Sequence, residues 1–410
     1  LVMMLKRNTM SFIKHNCDFC ESDEIEFIYT PINTIRGMEV YVCNACGLLQ
    51  SFATKKYESR PPGSMSADAD RSSFRYTKDL VSGSYLEVFN QYIEFNSFDK
   101  ILDVGSNRGA FIKWIEANHQ GKKIPAIEPH PEIPDSYSGL KNVELHNCRF
   151  ENVQLPSNTY DFAYCVHTLE HAVSAKDMLL GIKDSLKDGG IFFLAVPNVV
   201  FYSDIIEEIF IDPHTFHFNY NLLKDFVISL GFSIEYAGDA TEADIILLLK
   251  KIKPTNLIGA FKSIDAGFSS KVKANVDNYS KNIINNRLDL KNSSEKLMVA
   301  AKVKKIVVWG GGRIFDALVT FGELNKNDIY LVIDKYLSLY VSEIKGYKLH
   351  PPSVLENEDI NSILVYIASR DYADEIMAEA RTYGINDFIV FGNKSNKSNK
   401  FNKSTKEVGE

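Results

Sequence analysis

Several absences bound this 410-residue sequence. No run approaches the ~18 consecutive apolar residues that suggest a membrane span. The chain is not basic: Lys+Arg 46 against Asp+Glu 53 leaves −7 with histidine neutral. That balance argues against a dedicated nucleic-acid binder, because neutralising phosphates needs a basic surface, although a local basic patch remains compatible with it. The opening segment Leu1–Phe12 lacks a signal-peptide apolar region and cleavage pattern, so a cytoplasmic location is expected and residues 1–10 read as a ragged start. Cysteine is scarce, with 6 residues, which makes a disulfide framework unexpected. What is present, 45% hydrophobic and 24% charged residues, excludes collagen-like and largely disordered chains. The length predicts about two to four domains.

Four of the 6 cysteines fall within the first fifty residues, as Cys17-Asp-Phe-Cys20 and Cys43-Asn-Ala-Cys46. Two C-x-x-C knuckles at this separation suit a tetrahedral Cys₄ zinc site, since each knuckle aims two thiolates at one ion. Four thiolates leave no open position for water, so the metal is expected to be structural. A redox role fits a single C-x-x-C better than two together. The two apolar stretches between the pairs read as strands joined by a turn at Arg36-Gly37, giving a zinc ribbon over 11–55. Residues 56–75, with Arg60-Pro61-Pro62-Gly63, read as a linker or lid loop.

From 76 to 250 the pattern alternates helix and strand. A helix over roughly 77–95 precedes the apolar strand Lys100–Val104, then Gly105-Ser-Asn-Arg-Gly109 and a helix from Ala110. A strand, a glycine turn and a helix N-terminus make a site for a nucleotide-like ligand. The spacing is G-x-x-x-G rather than the dinucleotide G-x-G-x-x-G. The next strand, Ile124–Ile127, ends at Glu128, an acidic residue placed to accept hydrogens from both ribose hydroxyls. A third strand near Val143–Leu145 precedes Cys148-Arg149-Phe150-Glu151, and a fourth, Tyr160–Val166, runs into His167-Thr-Leu-Glu-His171. Leu169-Glu170-His171 reads as ordering a helix start. Helix 174–187, a turn at Asp188-Gly189-Gly190 and strand Ile191–Val196 follow. His214 and His217 then lie in a polar loop after Pro213, and a nearly neutral imidazole there can accept a substrate proton. Helix 221–232 and strands Ser233–Tyr236 and Ile245–Leu249 complete the sheet.

Residues 251–302 are polar and helical, with Val272, Val276, Ile283 and Leu288 as apolar anchors, and read as a helical linker. Over 303–392 a second, smaller doubly wound unit opens with strand Lys305–Trp309 and Gly310-Gly311-Gly312-Arg313, and its next strand ends at Asp334. The third glycine position of a dinucleotide fingerprint holds Phe315, which weakens an NAD reading, while the helix N-terminus could bind a phosphate. Gly310, Gly312, Arg313 and Asp334 are therefore the candidate substrate-binding residues. The Asn-Lys-Ser-rich tail 393–410 reads as disordered.

Taken in order, these motifs of 75–250 resemble the class I S-adenosylmethionine (SAM) methyltransferases. The resemblance implies an α/β Rossmann-like sheet with Asp103, Gly105, Asn107 and Gly109 lining the SAM loop. It places Glu128 on the ribose, Arg149 and Phe150 beside the adenine, and His167 near the methionine moiety. The order of zinc ribbon, SAM domain and second Rossmann-like unit further resembles the nucleotide-sugar C-methyltransferases, whose terminal unit helps hold the sugar nucleotide. The chain departs from that family where Pro213 precedes His214 and Phe216-His217-Phe218 follows, and where Gly-Gly-Gly-Arg replaces a lysine-bearing turn. The implied chemistry is deprotonation beside a ketone and C-methylation, with His214 or His217 as base and Tyr76 positioning substrate. The implied partner is a small molecule, with neither nucleic acid nor membrane, and the chain would be a monomer or homodimer. The alternatives are O- or N-methylation of a polysaccharide precursor or other metabolite, and a catalytically silent SAM-binding regulator. A nucleic-acid methyltransferase is disfavoured by the net charge and by the lack of an Asn-Pro-Pro-Tyr-like tetrapeptide after the fourth strand.

Overall fold

The computed structural model describes residues 15–55, 81–252 and 266–391, apart from 33, 35, 120, 132, 133, 201–203, 205, 206, 208, 213, 340, 370 and 371. Tyr76, the loop 56–75 and the tail 393–410 lie outside the described residues. The chain divides into two compact units, 1–285 and 286–410.

In the first unit, β1 (Ile25–Tyr29), β2 (Met38–Cys43) and β3 (Leu49–Ala53) form an antiparallel ribbon. A large sheet follows, built from β4 (Ile101–Val104), β5 (Ile124–Ile127), β6 (Val143–His146), β7 (Tyr160–Val166), β8 (Leu186–Pro197), β10 (Phe232–Ala237) and β11 (Asp244–Lys251). Its order is β10-β11-β8-β7-β4-β5-β6, and β11 runs antiparallel to both its neighbours. β6, β5, β4, β7 and β8 are parallel. The order reverses at β4, whose flanking strands come next and later in the chain, and the carboxyl edge beside such a reversal is where open α/β sheets bind ligands.

Helices cover both faces, which is why β4 and β7 read as nearly unbroken apolar runs. On one face, α1 (Gly83–Tyr92) and α2 (Ala110–Asn118) bury Phe89, Phe111 and Ile115 with Phe95, Phe162 and Phe193. Each such side chain contributes about 1.5–3 kcal/mol by leaving water. On the other, α3 (Ala175–Ser185) and α4 (Tyr220–Ser229) bury Leu179, Ile182, Leu222 and Phe226. The Ser174 side chain caps α3 by accepting from the Asp177 N–H, and Asn219 caps α4 through the N–H groups of Asn221 and Leu222. The expected turn at Asp188-Gly189-Gly190 lies inside β8 instead: the strand starts at Leu186, opposite Tyr160, and an irregularity in pairing with β7 absorbs the glycines.

The ribbon is not a separate module. β3 pairs with the short β9 (Phe216–His217), so the ribbon sheet becomes four-stranded through a segment that follows β8 in the chain. Phe19, between the first two cysteines, stacks on Phe226 of α4 at 3.6 Å.

The expected linker is mostly one helix, α5 (Ala266–Ala300), and the boundary between units falls within it. Val272, Val276 and Ile283 are buried as anchors, together with Tyr279, against Tyr29, Val40, Val42 and Phe210. Leu288 is not an anchor: it is 57% exposed, and Leu290 is the buried leucine of that turn.

The second unit contains β12 (Lys305–Trp309), α6 (Arg313–Thr320), β13 (Leu331–Ile333), β14 (Glu343–Ile344), β15 (Tyr347–His350), β16 (Ile363–Ile367), α7 (Ala373–Thr382) and β17 (Phe388–Val390). The strand order is β14-β15-β13-β12-β16-β17, parallel except for the β14–β15 hairpin. Val307, Trp309, Val365 and Ile367 form its centre.

Candidate active site at the carboxyl edge of the large sheet

The turn after β4 is built for close approach. Gly105 has φ +74°, and a Cβ there would lie 1.8 Å from Thr168 Oγ1, so only glycine fits. Its N–H and that of Ser106 donate to the Ile127 carbonyl, which joins the turn to the end of β5. Asn107 also has positive φ, +45°, and its N–H donates to Glu128 Oε2 at 2.8 Å. Glu128 Oε1 accepts from the His130 N–H at 2.9 Å. Each carboxylate oxygen thus keeps a second lone pair for a ribose hydroxyl. Gly109 caps α2 at the far end of the turn.

Asp103 lies beneath this turn, fully buried, and neither carboxylate oxygen has a hydrogen-bond partner. Burial, with the nearby Glu128 adding to it, pushes its pKa well above the usual carboxylate range. A buried acceptor without a partner is costly, and a cationic ligand group brought to the turn would relieve it. These residues fit SAM, which carries both a ribose and cationic groups. Sequence reasoning missed Tyr137, whose hydroxyl donates to the Asn107 carbonyl at 2.6 Å and meets Ser106 Oγ at 2.5 Å. No motif marks it, because it reaches the loop from a one-turn helix between strands.

The adenine side differs from expectation. The Phe150 ring lies against Gly181 of α3, and this packing accounts for the residue. Arg149 pairs with Glu151 at 3.2 Å and donates to the His171 carbonyl at 3.1 Å, bracing the turn after β7.

At the end of β7, His167 has φ +48°, a rare conformation that persists only where the surroundings hold it. Its Nε2 is 3.3 Å from Asp244 Oδ2 and its Nδ1 3.7 Å from Glu170 Oε1. Burial opposes charge on this imidazole, but the two carboxylates outweigh it and raise its pKa to about 9. Tyr85 of α1 donates to the same Asp244 oxygen at 3.0 Å. Asp244 and Tyr85 were also missed, since β11 and α1 carry no motif that points to this edge.

The two expected bases fare differently from their sequence reading. His217 is 4% exposed, its Nε2 meets Ser51 Oγ at 2.6 Å, and its ring packs on Phe210. It is a satisfied core histidine joining β9 to the ribbon. His214 lies 4.9 Å, ring to ring, from His171. Burial, with His171 adding to it, lowers its pKa to about 3, so it is a weak proton acceptor at neutral pH.

In the ribbon, the sulfurs of Cys17, Cys20, Cys43 and Cys46 lie within 4.8 Å of one another, with Cys17–Cys46 at 3.4 Å and Cys20–Cys43 at 3.5 Å. A tetrahedron with zinc–sulfur bonds of about 2.3 Å has edges of about 3.8 Å, so the four sulfurs could hold a metal ion.

The second unit does not offer the expected anion cradle. Asp334 Oδ2 accepts from the Gly311 N–H at 2.9 Å, and Oδ1 accepts from Tyr336 and Leu337 N–H groups. A Cβ on Gly311 would meet Leu349 at 3.1 Å and Leu337 at 3.2 Å, so two leucines fill the space above the turn. Gly310 takes φ +110° where it passes the Ala368 carbonyl, Gly312 caps α6, and Arg313 begins that helix. The carboxylate and the glycines are thus explained by the turn itself.

Residues 75–215 match the family model of a methyltransferase domain. The match lies within the first unit, over the parallel strands of the large sheet and the turn after β4, so this region is similar to a methyltransferase domain. Over 173 residues the chain is 26% identical to an uncharacterized protein of Methanocaldococcus jannaschii; the alignment spans 40% of this chain and 43% of that relative, less than half its length. Among solved structures, a SAM-dependent methyltransferase of Mesorhizobium loti is 12% identical with TM-score 0.36, covering 42% of this chain and 98% of that one. One from Aquifex aeolicus is 16% identical with TM-score 0.36, covering 45% and 98%. Among the described residues no helix is long and apolar enough to cross a membrane.

Proposed function

We propose that the chain transfers a methyl group from SAM to a small, oxygen-bearing metabolite, in the first instance a nucleotide-activated keto or deoxy sugar. The observation that supports the cofactor reading best is the pairing of Glu128 with the Asn107 N–H above the partnerless, buried Asp103. When bound, SAM supplies an electrophilic sulfonium methyl. Glu128 would accept from the ribose, Asp103 would lie beneath the cationic side, and the turn would hold the ligand at the strand edge. The polar row His167, Asp244 and Tyr85 suits an acceptor that carries oxygen. For a ketone acceptor, His167, Asp244 and Tyr85 would hold the carbonyl at the strand edge where SAM would supply its methyl, and alignment would provide much of the rate. We further propose that the four ribbon cysteines bind a structural zinc ion that fixes Phe19 on Phe226.

The test is to incubate the full chain with methyl-labelled SAM and a panel of nucleotide sugars, and to read the product by NMR. The expected product carries its methyl on carbon. A methyl resonance on oxygen or nitrogen would replace the C-methylation reading with the O- or N-methylation one.

A further inference from the structure

Beside the candidate transfer site is a second group of metal-ligating side chains with chemistry unlike the ribbon's. One ligand atom each from Glu170, His171 and His214 lies within 4.8 Å of the others. His171 Nε2 is 3.6 Å from Glu170 Oε1, too long for a hydrogen bond. It is close to the separation of two ligands bound at about 2.0–2.2 Å to one ion. Glu170 is 2% exposed, and its second oxygen, Oε2, is buried with no hydrogen-bond partner. Oε1 already faces the His167 imidazole at 3.7 Å, but a buried acceptor left without a partner, as Oε2 is, remains costly.

The backbone fixes this group from several sides. The Thr215 N–H donates to the Glu170 carbonyl at 2.8 Å, and Thr215 Oγ1 donates to the carbonyls of Glu170 and Ala172 at 3.1 and 2.9 Å. The segment bearing His214 is therefore clamped onto the turn bearing Glu170 and His171. Arg149 holds the His171 carbonyl, and the Val173 N–H donates to Glu151. His214 Nδ1 faces the Ile209 carbonyl at 3.4 Å. A backbone carbonyl on one ring nitrogen is a common way to present the other nitrogen to a metal.

We propose that Glu170, His171 and His214 form a second metal site, an open one, for a divalent first-row transition ion such as zinc. Two imidazoles and one carboxylate are a donor set of catalytic zinc and of other open sites, and three protein ligands leave a position for water or substrate. The side chain of His171 is 30% exposed, which leaves the site a route to solvent. If the methyl-transfer reading holds, an acceptor carbonyl or hydroxyl oxygen would take the open position. Coordination there would acidify the neighbouring C–H or O–H, easing the demand for a strong base.

The experiment strips the full-length protein with a chelator and titrates it with cobalt and then zinc, for wild type, Glu170→Gln and His171→Ala. Wild type should bind two equivalents per chain, the first with sulfur-to-metal charge-transfer bands and the second with weak visible bands only. Each variant should keep the first equivalent and weaken the second by at least about tenfold. A single equivalent in wild type, or an unchanged second equivalent in both variants, would overturn the proposal. If Glu170→Gln fails to fold, the partly exposed His171→Ala decides alone. SAM calorimetry on the same samples tests the methyl-transfer reading separately.

Discussion

Replacing Glu128 by glutamine probes the cofactor site with almost no change in volume. The wild-type carboxylate holds two backbone N–H groups, Asn107 on Oε2 and His130 on Oε1. It leaves one lone pair on each oxygen for the ribose. A glutamine turns one oxygen into an NH₂ that meets an N–H donor, so one loop bond and one ribose bond are lost together. A hydrogen bond to a charged group contributes about 1.5–3 kcal/mol, which corresponds to about tenfold to 150-fold in affinity. Calorimetric titration should show SAM binding weakened within that range. S-adenosylhomocysteine, which has the same ribose, should lose as much. A loss of less than about threefold for both ligands would refute the assignment of Glu128 to the ribose.

Three further outcomes follow from the packing. Gly105→Ala should destabilise the first unit by about 2–4 kcal/mol in urea unfolding, because its φ is positive and Thr168 occupies the Cβ position; unchanged stability would contradict the turn geometry. Asp161 accepts from the N–H groups of Asp99 and Lys100 and pairs with Lys187 at 2.5 Å. Burial alone would raise its pKa, but Lys187 and the backbone donors hold it below the usual value. A folded pKa below the unfolded one contributes stability above about pH 4, which is lost as pH falls through the folded value. Asp161→Asn should therefore cost about 1–2 kcal/mol at neutral pH and progressively less as pH falls below about 4, a trend that urea titrations across that range would measure. Cys43→Ser should release the ribbon metal and lower the thermal midpoint by at least about 5 °C, since the cysteines share a core with Phe226; a normal midpoint with no bound zinc would contradict the structural role.

Much of the methyltransferase sheet was legible because its signals are local. Ile101–Val104 is apolar enough to be a buried parallel strand, and Gly105 with Gly109 marks the turn that follows. The two C-x-x-C pairs specified the clustered sulfurs for the same reason. What was not legible depends on contacts far apart in sequence. His217 and Ser51, 166 positions apart, meet because β9 joins the ribbon sheet, so a residue read as a base is packed as core. Tyr137, Asp244 and Tyr85 reach the site from elements whose sequences have no fingerprint. Asp334 matched a nucleotide-binding spacing, yet its carboxylate ties down its own turn, because the same spacing serves a self-contained loop.

The central claim is methyl transfer itself, and the most direct test is acceptor-dependent formation of S-adenosylhomocysteine by the full chain. Formation should require a nucleotide sugar or related small acceptor and should fall with Glu128→Gln. Tight SAM binding with no S-adenosylhomocysteine formed from any acceptor in the panel would contradict it and make the chain a SAM-binding regulator instead.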